Sequence, residues 1–160
     1  MLPLELRPAA NLREEHELPF VDFGGGVEVK LLQVDLDKGV WIVRNRFSPG
    51  VVLQTHRHTG PVYAFTECGS WHYAEYPTDI NRAGSYLFEP AGSTHTLVVS
   101  PDNTEPTLVW FVIVGANLNL ACDGAIESVS DAASVLRRYK QEVARAGVGP
   151  VRVIGDADAS

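Results

Sequence analysis

The chain has 160 residues, of which 45% are hydrophobic and 21% are charged, a composition that suits a globular domain with one sizeable core. Its formal net charge of -7 argues against a general binder of nucleic acid or of anionic membranes, since both partners attract a basic surface. No stretch approaches the roughly 18 apolar residues of a transmembrane helix, and the charged N-terminus does not resemble a signal peptide. Two widely spaced cysteines provide no disulfide framework, so we expect a cytoplasmic protein.

Most of the chain has the pattern of short antiparallel strands. Residues 1–26 are rich in proline and mixed charges, which predicts an N-terminal arm with little regular structure. Over residues 27–130, β-branched and aromatic segments recur about every 8–12 residues between Gly, Pro, Asn and Asp turns, which predicts an all-β sandwich or barrel. The predicted strands are 27–35, 40–47, 51–58, 62–68, 71–76, 86–88, 96–100, 107–114 and 117–120.

One helix is predicted after these strands. Ser130 or Asp131 can cap a helix from about residue 132 to residue 146, because apolar residues follow at helical spacing and Gly147 provides a stop. The helical unit is therefore 131–147. Residues 148–160 are predicted to contain a short strand at 151–154 and a polar tail.

Three histidines suit metal chemistry. His56 and His58 are one residue apart in a predicted strand, so their side chains point to the same face. His95 follows a turn cluster of glycine and proline much further along the chain, so the fold has to bring it back to this pair. Neutral imidazoles bind iron, zinc, nickel or copper, and three histidines leave the choice among these metals open.

The spacing around the histidines resembles the two motifs of the cupin superfamily, small jelly-roll barrels that hold a metal. The first motif here is Gly50, five residues, His56, one residue and His58, with Gly69 further on. The second is Gly84, five residues, Pro90, Ala91, Gly92, two residues and His95. The resemblance covers about residues 40–115 and implies a single-domain cupin (jelly-roll) barrel, followed here by the C-terminal helix. It also implies a homodimer or a higher homo-oligomer.

A narrower resemblance extends over most of the chain. Residues 71–77, 83–97, 110–111 and 115–119 are similar to the 2,4'-dihydroxyacetophenone dioxygenase family, iron-dependent enzymes that cleave a carbon-carbon bond beside a ketone. The resemblance implies a ring-sparing dioxygenase with non-haem Fe(II) as its cofactor. Its substrates would be a small (hydroxy)ketone and dioxygen.

One departure from the superfamily concerns the carboxylate ligand. In the cupin pattern a glutamate follows the second histidine by four residues, but that position is Val62 here, and valine cannot bind a metal. Glu67 does not replace it, since it would face the opposite side of the same strand. Glu75 lies in a segment that resembles the source of a carboxylate ligand in the dioxygenase family. The resemblance therefore implies these metal ligands and catalytic residues: His56, His58, His95 and Glu75.

Two other classes of protein fit the same residues. A non-enzymatic cupin that binds a metal or a small ligand would keep the histidines without catalysing a reaction. A cupin isomerase or hydrolase loaded with zinc or manganese would turn over without dioxygen. Metal analysis combined with an oxygen electrode separates these alternatives from an Fe(II) dioxygenase.

Overall fold

The computed structural model describes residues 10–156, and within that range it contains thirteen strands and one helix. The first seven strands are β1 (Val21–Asp22), β2 (Val27–Asp35), β3 (Val40–Phe47), β4 (His56–His58), β5 (Val62–Cys68), β6 (Ser70–Tyr73) and β7 (Tyr76–Arg82). The others are β8 (Tyr86–Glu89), β9 (Thr94–His95), β10 (Leu97–Val99), β11 (Thr107–Val114), β12 (Asn117–Leu120) and β13 (Ile126–Ser130), and the helix is α1 (Ala132–Arg145).

The strands form three antiparallel sheets. The largest has the order β1-β2-β3-β11-β5-β8, a three-stranded sheet has the order β10-β6-β7, and a four-stranded sheet has the order β13-β12-β4-β9. Side chains of the six-stranded and four-stranded sheets line one common cavity, so these two sheets enclose the interior. The prediction of an all-β, single-domain cupin barrel with a C-terminal helix is confirmed.

Alternation along the central strands builds the core. In β11, Val109, Phe111 and Ile113 are buried, while the residues between them are partly exposed. Neighbouring β5 buries Val62 and Ala64 with the same period. Because successive side chains on a strand point to opposite faces, one hydrophobic set fills the barrel and the other covers its outside.

A glycine is required where β5 turns directly into β6. Gly69 has a φ angle of +80°, in the left-handed region that favours glycine. A Cβ atom at this position would lie 2.7 Å from the Cα atom of Thr107 on the adjacent strand β11. The later glycine of the first motif therefore permits a tight turn against a neighbouring backbone.

The helix α1 packs against β2. Its apolar stripe, which includes Leu136, Tyr139 and Val143, is buried, and the Tyr139 hydroxyl donates a hydrogen bond to the carbonyl oxygen of Pro19 at 2.7 Å. The helix begins after Asp131, one of the two predicted caps, and ends one residue before the predicted end. Within residues 10–156, no helix has both the length and the apolar character needed to cross a membrane.

Replacing Asp131 with alanine is expected to lower the free energy of unfolding by about 1 kcal/mol. The Asp131 carboxylate accepts a hydrogen bond from the backbone N–H of Ser134 at 2.8 Å, and the Ser134 hydroxyl accepts one from the backbone N–H of Asp131. These bonds lower the pKa of Asp131 below 3.8, so its stabilising contribution is present above pH 3.8 and is lost as the pH falls through the lower folded pKa. Urea unfolding at pH 7 checks the loss.

The matched control for this cap is Asp131→Asn, which keeps a side-chain acceptor and is expected to retain most of the stability. Equal urea midpoints for the alanine variant and the parent protein would contradict the capping role.

Two of the predicted strands differ most from the structure. The strand predicted over 51–58 is regular only at β4, although Val52 makes an isolated bridge with Val98. The strand predicted over 71–76 is interrupted by a turn at Ala74 and Glu75, and the residues after the turn form the strand β7, which was not predicted. The strand β6 pairs with β7 and Tyr73 lies opposite Tyr76, so the two residues between them form the turn that connects the strands.

Differences also occur at the two ends of the barrel. The predicted arm contains β1, which pairs with β2, while residues 1–9 of that arm lie outside the described range. The strand β13 was not predicted. The segment 151–154 forms only a single bridge, between Ile154 and Gln33, in place of the predicted strand.

Candidate metal centre

The pairing of β4 with β9 brings the three histidines together. His56 and His58 are the two ends of the three-residue strand β4, and both are buried while Arg57 between them is exposed. His95 on β9 lies directly opposite His56 in the antiparallel register. Because directly opposed residues of an antiparallel pair face the same side, His95 joins the two imidazoles of β4.

The three imidazole rings form a compact, buried cluster. Their ring centroids are separated by 4.9 Å (His56 and His58), 5.0 Å (His56 and His95) and 4.9 Å (His58 and His95). One ring nitrogen from each histidine lies within 4.8 Å of the other two, an arrangement that can hold a metal ion. The pairing of β4 with β9 therefore brings His95 next to His56 and His58, although it lies far from them in the sequence.

A buried glutamate, Glu89, completes the cluster. Its Oε2 atom lies 2.8 Å from Nε2 of His58 and 3.3 Å from Nε2 of His95, and the two Nε2 atoms are themselves 3.0 Å apart. Burial alone would raise the pKa of Glu89, but its contacts with His58, His95 and Tyr73 outweigh burial and lower the pKa to about 2. Glu89 is therefore a carboxylate at neutral pH.

Strand pairing explains why the carboxylate arises at residue 89. Glu89 ends β8 and lies directly opposite Val62 of β5, the position at which the superfamily pattern has its glutamate. Cross-strand partners project on the same face of a sheet, so the neighbouring strand supplies a carboxylate on the same side as Val62. Sequence analysis missed Glu89. The available signal was an acidic residue at the end of a predicted strand, six residues before His95, but its partner strand could not be read from the sequence.

Tyr73 holds both Glu89 and His95. Its hydroxyl donates a hydrogen bond to Oε1 of Glu89, and its ring stacks on the His95 imidazole with centroids 3.7 Å apart and planes 12° apart. Burial and the neighbouring Glu89 carboxylate raise the pKa of Tyr73 well above 10.0, so the phenol stays a donor. Tyr73 fixes one carboxylate oxygen and leaves the other directed at the histidines.

Glu75 lies at the turn between β6 and β7 and binds a different partner. Its two carboxylate oxygens accept hydrogen bonds from the Thr96 backbone N–H at 2.9 Å and from the Thr96 hydroxyl at 3.1 Å. The Thr96 hydroxyl also contacts the hydroxyl of Thr55 at 2.7 Å. Glu75 thus connects the residue after His95 with the residue before His56. Its predicted role as a metal ligand remains a prediction.

The tautomer of His56 is fixed by the backbone. Its Nδ1 atom lies 2.9 Å from the carbonyl oxygen of Gln54, and a carbonyl only accepts hydrogen bonds, so Nδ1 carries the proton. In a neutral ring this leaves Nε2 with the free lone pair. Burial lowers the pKa of His56 to about 4, so the ring is neutral at pH 7, the form that binds metals.

The donor set fits a divalent cation. Glu89 Oε2 is buried, and no N–H or O–H group of residues 10–156 donates to it with hydrogen-bond geometry, although two histidine nitrogens surround it. The three atoms that meet here are Nε2 of His58, Nε2 of His95 and the charged Oε2 of Glu89. Lone pairs this close together require either a proton or a cation between them. Imidazole nitrogens with one carboxylate form a set that Fe(II), Zn(II), Ni(II) and Mn(II) accept, so the donors alone leave the metal open.

A cavity of about 670 Å³ lies against this cluster. The six-stranded sheet contributes mainly apolar walls, and the four-stranded sheet contributes His56 and His58 together with asparagine side chains. Representative lining residues are Val29, Val43, Phe111, Ile113, His56 and Asn117. The volume and the mixture of apolar walls with a few polar groups are typical of a small-molecule site.

The fold and this cluster define a small cupin with a candidate metal centre. The chain belongs to the ChrR Cupin-like domain family, whose model matches residues 9–115. No curated protein sequence matches the chain.

Solved structures agree with the family. A protein of unknown function with a cupin-like fold from Ralstonia eutropha is 32% identical, has a TM-score of 0.85, and the match covers 93% of this chain and 94% of that chain. An acetylacetone dioxygenase from Acinetobacter johnsonii is 18% identical, with a TM-score of 0.71 over 89% of this chain and 99% of that chain. The anti-sigma protein ChrR of Rhodobacter sphaeroides is 18% identical, with a TM-score of 0.52 over 63% of this chain and 51% of that chain. The last two similarities concern the fold alone.

Proposed function

We propose that the protein is a non-haem Fe(II)-dependent dioxygenase that cleaves a carbon-carbon bond in a small hydroxyketone such as 2,4'-dihydroxyacetophenone. The observation that carries this proposal is the buried cluster of three histidines and one carboxylate on the wall of a mostly apolar cavity. The reaction consumes one dioxygen and breaks the bond between the ketone carbon and the hydroxymethyl carbon. Each carbon gains one oxygen atom, so the products are 4-hydroxybenzoic acid and formic acid.

Four side chains would hold the ion: His56, His58, His95 and Glu89. A bound Fe(II) would supply a Lewis acid for the hydroxyketone and positions at which dioxygen reacts. Three neutral imidazoles and one carboxylate leave a divalent ion with a net positive charge, which favours an anionic, enolate-like substrate.

The rest of the chain orients and shields the reacting groups. Tyr73 and the backbone of Gln54 hold Glu89 and His56 in place, so these groups need little reorganisation during the reaction. The apolar side chains of β2, β3 and β11 on the cavity wall match the hydrocarbon part of an aromatic ketone. Within residues 10–156, the cluster supplies all the histidines and carboxylates on the cavity wall.

Oxygen uptake tests the proposal. Protein reconstituted without air with Fe(II) and then mixed with 2,4'-dihydroxyacetophenone in aerated buffer is expected to consume one dioxygen per ketone. Protein loaded with zinc is expected to be inactive, since Zn(II) has no redox chemistry. The measurement combines an oxygen electrode with chromatography of the acid products.

Two results would contradict the proposal. Turnover of the ketone by the zinc- or manganese-loaded protein without oxygen uptake would indicate an isomerase or a hydrolase. The absence of turnover with the hydroxyketone and with β-diketones, in protein that holds stoichiometric iron, would indicate a binding protein.

A non-enzymatic binding role is the second candidate, since the structures of similar fold include the anti-sigma protein ChrR as well as an acetylacetone dioxygenase. In that role the same cavity would bind a ligand and the same cluster a metal, and no substrate would be consumed. Tight ligand binding by an iron-loaded protein without oxygen uptake is the result that this role predicts.

A further inference from the structure

We propose that Asn45 and Asn117 form the polar subsite of the cavity and bind the hydroxyl groups of an aromatic hydroxyketone. This inference rests on the proposed function for the identity of the ligand. Asn117 would bind the hydroxyl beside the ketone, and Asn45 would bind the hydroxyl on the ring. Both residues would act in specificity rather than in the chemical step.

Asn117 lies next to the metal cluster. It is directly opposite His58 in the pairing of β12 with β4, so the two side chains share a face of the sheet. It also lines the cavity. Its Oδ1 atom is buried and has no hydrogen-bond partner within residues 10–156. A ligand group held at the cluster would therefore be adjacent to this amide.

Asn45 lies in an apolar wall on the other side of the interior. It belongs to β3 and is paired with Val29 of β2 and Val109 of β11, both of which are buried. The Asn45 side chain lines the cavity, and its Oδ1 atom also has no partner within the described range. An amide among valines has no evident packing advantage over an apolar residue of similar size.

The amide NH2 groups of two neighbouring residues on the cavity wall already have partners in the protein. The Nδ2 group of Asn119 donates to the hydroxyls of Ser128 and Ser130 at 3.0 and 3.1 Å. The Nε2 group of Gln54 donates to the carbonyl oxygen of Leu120 at 2.9 Å. Asn45 and Asn117 each have a buried side-chain oxygen without a partner within residues 10–156, and such a group is costly in the absence of a ligand.

A hydroxyl group is the ligand chemistry that suits both amides. A carboxamide offers one acceptor and two donors, and rotation about its last bond exchanges their positions. A hydroxyl both donates and accepts, so it can satisfy the amide oxygen in a way that a ketone oxygen cannot. The subsite should therefore favour hydroxylated acetophenones over acetophenone itself.

The test compares dissociation constants of simple ligands with and without a single hydroxyl, measured by calorimetry without oxygen. The parent protein is expected to bind 4'-hydroxyacetophenone and 2-hydroxyacetophenone at least about 5-fold more tightly than acetophenone, as one buried hydrogen bond allows. Asn45→Leu is expected to abolish the preference for the 4'-hydroxyl, and Asn117→Leu to reduce the preference for the 2-hydroxyl. Leu53→Met, an apolar change in the same cavity, is the control and should keep both preferences.

Thermal unfolding of the ligand-free variants provides a second measurement that separates ligand binding from a structural role. Replacing an unsatisfied buried amide with leucine is expected to raise Tm by about 2–4 °C. A lower Tm in both variants would mean that the amides serve folding, and it would overturn the inference. Hydroxyl preferences of the variants that stay within twofold of those of the parent protein would overturn it as well.

The binding test does not depend on catalysis. If the two asparagine variants lose the hydroxyl preferences of the parent protein, and the parent protein consumes no oxygen, the subsite is supported and the dioxygenase is rejected. Oxygen uptake combined with unchanged preferences would support the dioxygenase while rejecting the subsite.

Discussion

Replacing His95 with alanine is expected to lower the iron content of the reconstituted protein from close to one ion per chain to less than about one tenth of that value. His95 is buried, its Nε2 atom lies 3.0 Å from Nε2 of His58, and within the described residues the cluster contains no histidine besides His56, His58 and His95 that could take its place. Oxygen uptake should be lost together with the iron. Metal analysis of the desalted protein provides the measurement.

His72→Ala is the matched control for this variant. His72 is half-buried on β6, opposite Val98, and lies outside the cluster. The control should keep its iron and its activity. Stoichiometric iron in the His95→Ala protein, with a circular dichroism spectrum like that of the parent, would exclude His95 as a ligand.

Glu89→Gln is expected to weaken iron binding by at least about tenfold, and Glu75→Gln to change it by less than about twofold. Glutamine at position 89 removes the only charge among the four donors, and it places an amide beside two imidazole nitrogens. At position 75, glutamine keeps an acceptor for the Thr96 backbone N–H. Competition against a chelator measures both affinities.

The comparison of these two variants decides between two carboxylates. The family resemblance implies Glu75, and the geometry of the cluster favours Glu89. The opposite ranking, with a large loss for Glu75→Gln and little change for Glu89→Gln, would restore Glu75 as the ligand. It would limit Glu89 to a hydrogen-bonding role beside His58.

The barrel and the histidines were predictable because their signals are local or nearly so. Alternation in segments such as 107–114 reproduces the observed bounds of β11, and the spacing of His56 and His58 fixes their common face. The helix was predictable from its cap at Asp131 and its apolar period.

The carboxylate could not be predicted because it depends on which strands pair. Glu89 reaches the cluster only because β8 lies beside β5 with Glu89 opposite Val62, and a single sequence does not specify that register. Glu75 was proposed from the family resemblance within a strand predicted over 71–76, but a turn at Ala74 and Glu75 ends the strand before that residue. Tyr73, which is still on β6, points inward and contacts both Glu89 and His95.

Isotope labelling of the products tests the central claim most directly. Iron-loaded protein that reacts with 2,4'-dihydroxyacetophenone under ¹⁸O₂ should place one labelled oxygen atom in 4-hydroxybenzoic acid and one in formic acid, as mass spectrometry can measure. Both acids without the label, or an iron-loaded protein that leaves the ketone unchanged, would contradict a carbon-carbon bond-cleaving dioxygenase at this centre.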